Sequence, residues 1–142
     1  MDRFAMKKIE NITGKQRFEQ LVIYPVTMQD NINLDVVEGV WDKYEKDLEV
    51  KYRNAFKGLE TVMLRIADLQ GMGYHRIKDI TPANEYIKEY EFKFQDLRAY
   101  GIKIPNGKLI VLAGHKNTQR EDIKKFRSLK RRFLEFIKNN QL

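Results

Sequence analysis

The feature that most limits the fold of this chain is a turn motif, Pro105-Asn106-Gly107-Lys108, set between two apolar runs. An Asn-Gly pair accepts the positive φ angles that a tight hairpin requires. The runs on either side, Arg98–Ile104 and Leu109–Ala113, are extended in character, and the second is apolar throughout. The motif therefore predicts an antiparallel hairpin whose second strand is buried.

Two further segments are predicted to be strands. From Tyr90 to Gln95 aromatic and polar residues alternate, which is the pattern of a half-buried strand. Arg17–Tyr24 is rich in β-branched and aromatic residues and stops at Pro25. Residues 1–15 are short and mixed in character, so a weakly ordered, flexible N-terminal segment is expected there.

Helical periodicity extends from Asp35 to Leu69, with Asn33 as the expected N-cap. Helices longer than about 25 residues are unusual in compact domains, so a break is predicted between Glu45 and Lys51. Glycines in Gln70–Gly73 are expected to end the helical region. Residues 74–88 contain proline and asparagine and are expected to be an irregular connection.

A last, basic helix is predicted from about Glu121 to Asn139, after a polar loop over His115–Asp122. Its expected inner face consists of Ile123, Phe126, Leu129, Phe133 and Ile137. Its expected outer surface carries Lys124, Lys125, Arg127, Lys130, Arg131, Arg132 and Lys138.

Helices and strands are segregated along the chain, so the predicted class is α+β: an N-terminal strand and helical region, then an antiparallel sheet and a basic C-terminal helix. A length of 142 residues is that of one domain, covering 1–142. No apolar run has the length of a membrane span, and the first residues do not resemble a signal peptide, so a cytoplasmic location is expected.

The amino-acid composition excludes several kinds of catalytic and metal-binding site. The chain has no cysteine, which excludes disulfides, thiol catalysis and thiolate metal sites. It has two histidines, His75 and His115, too few for a multi-histidine metal site. An all-carboxylate metal site stays open. The prediction is a protein that acts without metal or other cofactor.

Positive charge is concentrated in the C-terminal part of the chain. From Tyr90 to Leu142 there are thirteen Lys/Arg and five Asp/Glu, against fourteen and fifteen in the preceding residues. A basic region of this kind attracts phosphates or an acidic partner. It is also compatible with a solvated helix surface that has no partner.

Four residues in this basic part form a candidate site: Lys93 and Arg98 on adjacent predicted strands, and His115 and Lys116 in the loop after the hairpin. Alternate side chains of neighbouring strands share a face, so Lys93 and Arg98 are candidates for one surface. Cations can neutralise the charge that develops when the 2′-hydroxyl of RNA attacks the adjacent phosphodiester. Histidine suits the proton transfer, because its ordinary pKa lies near neutrality.

The block Tyr90–Lys125 resembles the RelE/HigB-like toxins of type II toxin–antitoxin modules, particularly the phage-related HigB-like branch. The resemblance rests on the segments YEFKFQDLRAY, GKLIVLAG and HKNTQREDIKK. It implies a small α+β protein that cuts mRNA on the ribosome without metal. It also implies a cognate antitoxin, expected to be of the helix-turn-helix type, that covers the active surface.

The resemblance also implies individual roles. Arg98 matches a strand arginine that contacts the scissile phosphate, and Lys93 matches a basic residue of the preceding strand. Lys116 and Gln119 match the Lys-x-x-Gln of the loop that precedes the last helix. The other expected RNA-binding residues follow in that helix: Arg120, Lys124, Lys125, Arg127 and Arg131.

Two other interpretations stay open. A non-catalytic module on the same fold would bind nucleic acid or an acidic protein through the basic helix, with affinity that falls steeply with salt. In a purely structural interpretation, the apolar face of the helix is core and its charges only keep the protein soluble.

Overall fold

The structure, a computed structural model, describes residues 2–25, 33–68 and 76–140. The strands are β1 Asp2–Lys8, β2 Arg17–Pro25, β3 Ile77–Asp79, β4 Glu89–Phe94, β5 Leu97–Ile104 and β6 Gly107–His115. The helices are α1 Val40–Asp47, α2 Arg53–Ala67 and α3 Gln119–Asn140, with short 3₁₀ turns at Val50–Tyr52 and Lys116–Thr118. The predicted glycine stop at 70–73 lies outside the described residues.

The strands form one sheet in the order β1-β2-β6-β5-β4-β3. Neighbours are antiparallel except β2 and β6, which pair in parallel from Arg17↔Gly107 to Gln20↔Ile110. The predicted α+β class is confirmed, and the strands that follow the helices are antiparallel to one another as predicted. The sheet as a whole is nevertheless mixed, because the N-terminal strand β2 joins it in parallel with β6. After β2 the chain forms two helices and returns to the sheet as β3, at the edge opposite β1. The β4–β5–β6 meander then brings β6 alongside β2 in the same direction.

The predicted hairpin is confirmed, with a different turn chemistry. The two residues between β5 and β6 are Pro105 and Asn106, and Gly107 already pairs with Ile104. Asn106 has a φ of 62°, while no glycine among the described residues has a positive φ. Proline followed by a residue of positive φ is the requirement of a type II turn, so the motif works through Pro-Asn rather than Asn-Gly.

Two apolar layers cover the two faces of the sheet. On one face α1 and α2 pack against strand residues such as Phe18, Phe92 and Leu97. On the other face α3 packs against residues such as Leu21, Tyr100 and Leu109. The predicted inner face of the last helix is confirmed. Phe126 and Phe133 are buried, and Ile123, Leu129 and Ile137 pack against the same cluster.

The predicted break in the first helical region is confirmed, because α1 ends at Asp47 and α2 begins at Arg53. The predicted helix start is wrong, since α1 begins at Val40. Asn33 instead accepts a hydrogen bond from the backbone of Asp35, two residues on, over 2.9 Å. The free amides at the start of α1 are bound by a residue distant in sequence: Gln20 Oε1 accepts from Trp41 N and Asp42 N, each at 3.0 Å.

Two predicted irregular regions contain strands. In the N-terminal segment expected to be weakly ordered, β1 pairs with β2 from Asp2↔Pro25 to Lys8↔Glu19. Phe4 of β1 packs edge-on against Phe133 of α3, so a distant helix stabilises the strand. In the connection over 74–88, β3 adds a short edge strand to β4. Across the described ranges, no helix combines the length and the apolar character needed to cross a membrane.

Candidate nucleic-acid interface

Lys93 and Arg98 are direct partners across β4 and β5. They lie on the face covered by α3, since Tyr100, two residues after Arg98, packs its ring on Phe126 of α3. The Lys93 side chain is half-buried and makes no hydrogen bond or ion pair to another described residue. It is therefore a cation available to a ligand at the end of this face.

Arg98 is 7% exposed and is bound by its own turn. Its Nη1 donates to the carbonyls of Gln95 and Leu97, at 2.6 and 2.9 Å. Gln95 has a φ of 51°, so the guanidinium closes a tight β4–β5 turn. The Nε atom is buried without a hydrogen-bond partner among the described residues. Arg98 brings a fixed positive charge close to the surface.

His115 lies on the opposite face of the sheet. Arg98 pairs with Gly114 and Leu97 pairs with His115, so the alternation of β6 turns the imidazole towards α1 and α2. Its ring meets the ring of Tyr52 edge-on at 4.7 Å. The sheet thus separates His115 from the face of Lys93 and Arg98.

A cleft of about 360 Å³ opens at the end of the sheet where the two faces meet. Its lining consists of Tyr52, Asp96, His115, Lys116 and Asn117. The backbone amide of Lys116 donates to the carbonyl of Asp96 at 2.7 Å, which joins the β4–β5 turn to the start of the C-terminal helical region. The Lys116 side chain is exposed and has no partner among the described residues.

Tyr44 of α1 fixes the strand beside His115. Its hydroxyl donates to the carbonyl of Gly114 at 2.9 Å. Burial raises the pKa of the Tyr44 phenol, and the carboxylate of Asp122 and the phenol of Tyr52 add to the rise. Tyr44 therefore remains a neutral donor at physiological pH.

Two buried carboxylates of β4 hold α3 on the sheet, and sequence reasoning missed both. Glu91 accepts a hydrogen bond from Gln119 Nε2. Glu89 accepts from Arg127 Nε at 3.0 Å and from Lys130 Nζ at 2.8 Å. The sequence pattern that could have identified them is the alternation of Glu89 and Glu91 with Tyr90 and Phe92. It places both glutamates on one face of the strand, and in the structure that face is covered by the basic helix α3.

Lys130 was expected on the outer surface of the last helix, and that expectation is wrong. Its side chain is buried, and its ammonium also donates to the Ile87 carbonyl at 2.9 Å. The long lysine stem can cross an apolar layer when a carboxylate receives the charge, as Glu89 does here.

The remaining expected RNA-binding residues fall on two flanks of α3. Arg120, Lys124, Arg127 and Arg131 are spaced by four, three and four residues, so they follow one flank. Arg120, Lys124 and Arg131 are exposed, while Arg127 is half-buried against Glu89. Lys125 lies on the other flank with Arg132, seven residues on, which pairs with Asp2 of β1.

Within the described ranges no group of three or more His, Asp or Glu side chains has the arrangement of a metal site. Comparison of the chain with protein-family models, with curated proteins and with solved structures found no match.

Proposed function

We propose that the chain is the toxin of a type II toxin–antitoxin module, of the RelE/HigB-like kind, and that it cuts mRNA on the ribosome without metal. The observation that carries the proposal is the direct pairing of Lys93 with Arg98 at the end of an open sheet. The element order supports it: two strands, two helices, four strands and a basic helix. This order contains the one that the resemblance implies, namely a strand, a helical region, an antiparallel group of strands and a basic helix.

The proposed chemistry takes place at the sheet end. The 2′-oxygen forms a bond to phosphorus while the bond from phosphorus to the 5′-oxygen breaks. A proton leaves the 2′-hydroxyl, and another is delivered to the departing 5′-oxygen. Lys93 and Lys116 neutralise the charge on the phosphate, and the fixed charge of Arg98 adds to the field. An RNA strand that crosses the sheet end reaches the cleft, where His115 transfers a proton.

The proposed partners are ribosome-bound mRNA and an antitoxin. An antitoxin that inhibits by covering the site must bury Lys93 and the exposed cations of α3. Those cations favour an acidic segment in the antitoxin.

Inducible expression tests the proposal. Expression of the wild-type chain is expected to stop growth and translation, with mRNA cut at discrete positions. Lys93→Ala and His115→Ala are expected to relieve the arrest. Arg98→Lys tests the buried position without removing its charge. Lys57→Ala, which changes an exposed lysine of α2 on the other face of the sheet, serves as the control.

Two outcomes would count against the proposal in different ways. Absence of cutting by the folded wild-type chain on translating ribosomes would reject the nuclease. Full toxicity of both Lys93→Ala and His115→Ala, with an unchanged cutting pattern, would reject the site while leaving the nuclease in place.

The second candidate is a non-catalytic RNA-binding module on the same fold. It is favoured by the internal hydrogen bonds of Arg98 and by the position of His115 across the sheet from Lys93. Purified chain and ribosomes separate the candidates. Binding that falls steeply with salt, without any new RNA ends, would favour the module.

A further inference from the structure

Tyr86 is the most exposed of the large hydrophobic side chains that the structure describes, with 94% of its surface open to solvent. It lies in the loop between β3 and β4. An isolated exposed apolar residue needs no explanation by itself, but this one lies in a loop that is bound to the basic helix α3.

The loop that carries Tyr86 is anchored on α3 on both sides of the ring. Lys130 Nζ donates to Glu85 Oε2 at 3.2 Å and to the Ile87 carbonyl at 2.9 Å. The amide of Glu85 donates to the Pro82 carbonyl at 3.1 Å, which tightens the turn before it. The ring is thus exposed while the backbone beneath it is fixed.

The anchored loop borders the basic flank of α3. Arg127 of that flank donates from Nη2 to the Ile80 carbonyl at 2.8 Å, so the loop follows the helix from Arg127 to Lys130. Arg120, Lys124 and Arg131 continue the flank with exposed cationic ends. At 1.5 Å per residue the flank from Arg120 to Arg131 is about 16 Å long, enough for several phosphates of an extended strand.

We propose that this flank is a track for single-stranded RNA, in which one base stacks on Tyr86 and the backbone follows Arg120, Lys124 and Arg131. A fixed aromatic ring beside a row of cations binds unpaired bases, because each base offers a face for stacking. Bases inside a duplex already stack on each other and cannot use the ring. The choice of RNA as the nucleic acid rests on the proposed function.

Binding is measured by fluorescence anisotropy with a short, labelled 2′-O-methyl RNA. The blocked 2′-oxygen cannot attack the phosphate, so binding is independent of cleavage. Tyr86→Ala is expected to weaken binding by about tenfold or more, the range for loss of one base–aromatic stack. Lys124→Ala and Arg131→Ala are expected to weaken it and to reduce its salt dependence. Lys57→Ala, in α2 on the other face of the sheet, serves as the control.

Tyr86→Trp provides a direct readout of stacking. The variant is expected to bind like the wild type, and RNA is expected to quench the new indole fluorescence. Trp41 is buried and supplies a constant background. A duplex of the same sequence is expected to bind more weakly and to be insensitive to Tyr86→Ala.

Unchanged binding by Tyr86→Ala, or no quenching of Tyr86→Trp, would overturn the track. Tighter binding of polyglutamate than of RNA, with the same loss in Lys124→Ala, would also overturn it in favour of an acidic protein partner. A track that binds RNA as expected in a chain that never cuts it would reject the proposed nuclease and leave the track standing.

Discussion

The Lys130 ammonium lies 2.8 Å from the Glu89 carboxylate, and the two side chains are 3% and 1% exposed. Lys130→Met leaves Glu89 with Arg127 as its remaining charged partner. Removing one member of a buried pair typically costs about 3–5 kcal/mol, and the contact with Arg127 favours the lower end of that range. Denaturant unfolding monitored by circular dichroism measures the loss, with Lys125→Met on the exposed flank as the control.

The double variant Lys130→Met/Glu89→Gln separates the contribution of the ion pair to stability from the contribution of the packed lysine stem. Since both charges are gone, most of the lost stability is expected to return. Arg127 can then turn its half-exposed side chain to water. A double variant as unstable as the sum of the two single changes would mean that the pair contributes no coupling.

Two tyrosines on opposite sides of the sheet form a matched pair for substitution by phenylalanine. The Tyr44 hydroxyl donates to Gly114, whereas the Tyr100 hydroxyl is buried without a hydrogen-bond partner among the described residues. Tyr44→Phe is expected to lower stability by about 1 kcal/mol, the usual net contribution of one hydrogen bond. Tyr100→Phe is expected to be neutral or stabilising, because it removes an unsatisfied polar group.

Thermal unfolding of both variants measures this contrast. Equal losses in Tyr44→Phe and Tyr100→Phe would show that the Tyr100 hydroxyl has an acceptor or a bound water. Tyr44→Phe is also expected to change the mobility of His115. The hydrogen bond from Tyr44 fixes Gly114, the residue before His115, so His115 is expected to be more mobile in the variant, with broadened imidazole resonances in NMR spectra.

Local patterns predicted most of the elements that form this fold. Alternation identifies β4, the Pro-Asn-Gly turn identifies β5 and β6, and the three- and four-residue steps identify the helices and the break between α1 and α2. β1 and β3 were missed for a physical reason. Each is stabilised by pairing with the next strand along the chain, and β1 also by contact of Phe4 with the distant helix α3, which local sequence does not encode.

The candidate site was predictable only in part. Strand alternation made Lys93 and Arg98 candidates for one surface, and the register of β4 and β5 pairs them directly. His115 was expected in the loop after the hairpin, but β6 extends as far as His115, and one residue of extended backbone reverses the face of a side chain. Lys130 follows Phe126 by four residues and precedes Phe133 by three, so helical spacing places it on the apolar face of α3, unlike Lys125. Local spacing does not encode the carboxylate of Glu89, 41 residues earlier, which receives the buried charge.

The raised pKa of the Glu60 carboxyl predicts that the stability of the protein depends on pH. Burial raises the pKa of its carboxyl, and the neighbouring Glu45 adds to the rise. Between the ordinary glutamate value, about 4.3, and the raised folded value, the folded state binds more protons than the unfolded state. Stability therefore falls as pH increases through that window.

Glu60→Gln tests this dependence. In this variant the free energy of unfolding is expected no longer to fall as pH increases through that window. The variant is therefore expected to be more stable than the wild type at neutral pH and to differ little from it at the acid end of the window. Urea unfolding at a series of pH values gives the slope. Glu49→Gln, which changes an exposed carboxylate in the same helical region, is expected to follow the wild-type profile.

Gly107 is required by the parallel contact between β2 and β6. A Cβ atom on this residue would lie 1.9 Å from the backbone carbonyl oxygen of Arg17, and backbone cannot turn aside as a side chain can. The same corner is tied by Arg17 N, which donates to the Asn106 carbonyl at 2.8 Å. Gly107→Ala is therefore expected to cost about 1–3 kcal/mol, as overpacking does.

The adjacent Asn106 supplies the control for Gly107→Ala. Asn106 has a φ of 62°, which glycine adopts without a steric penalty, so Asn106→Gly is expected to be tolerated. If Gly107→Ala acts on the β2–β6 contact, amide exchange in the paired residues of β2 increases more than in β4. Equal acceleration in β2 and β4 would place the damage in the whole sheet. Such a result would contradict a role for Gly107 specific to the parallel pair.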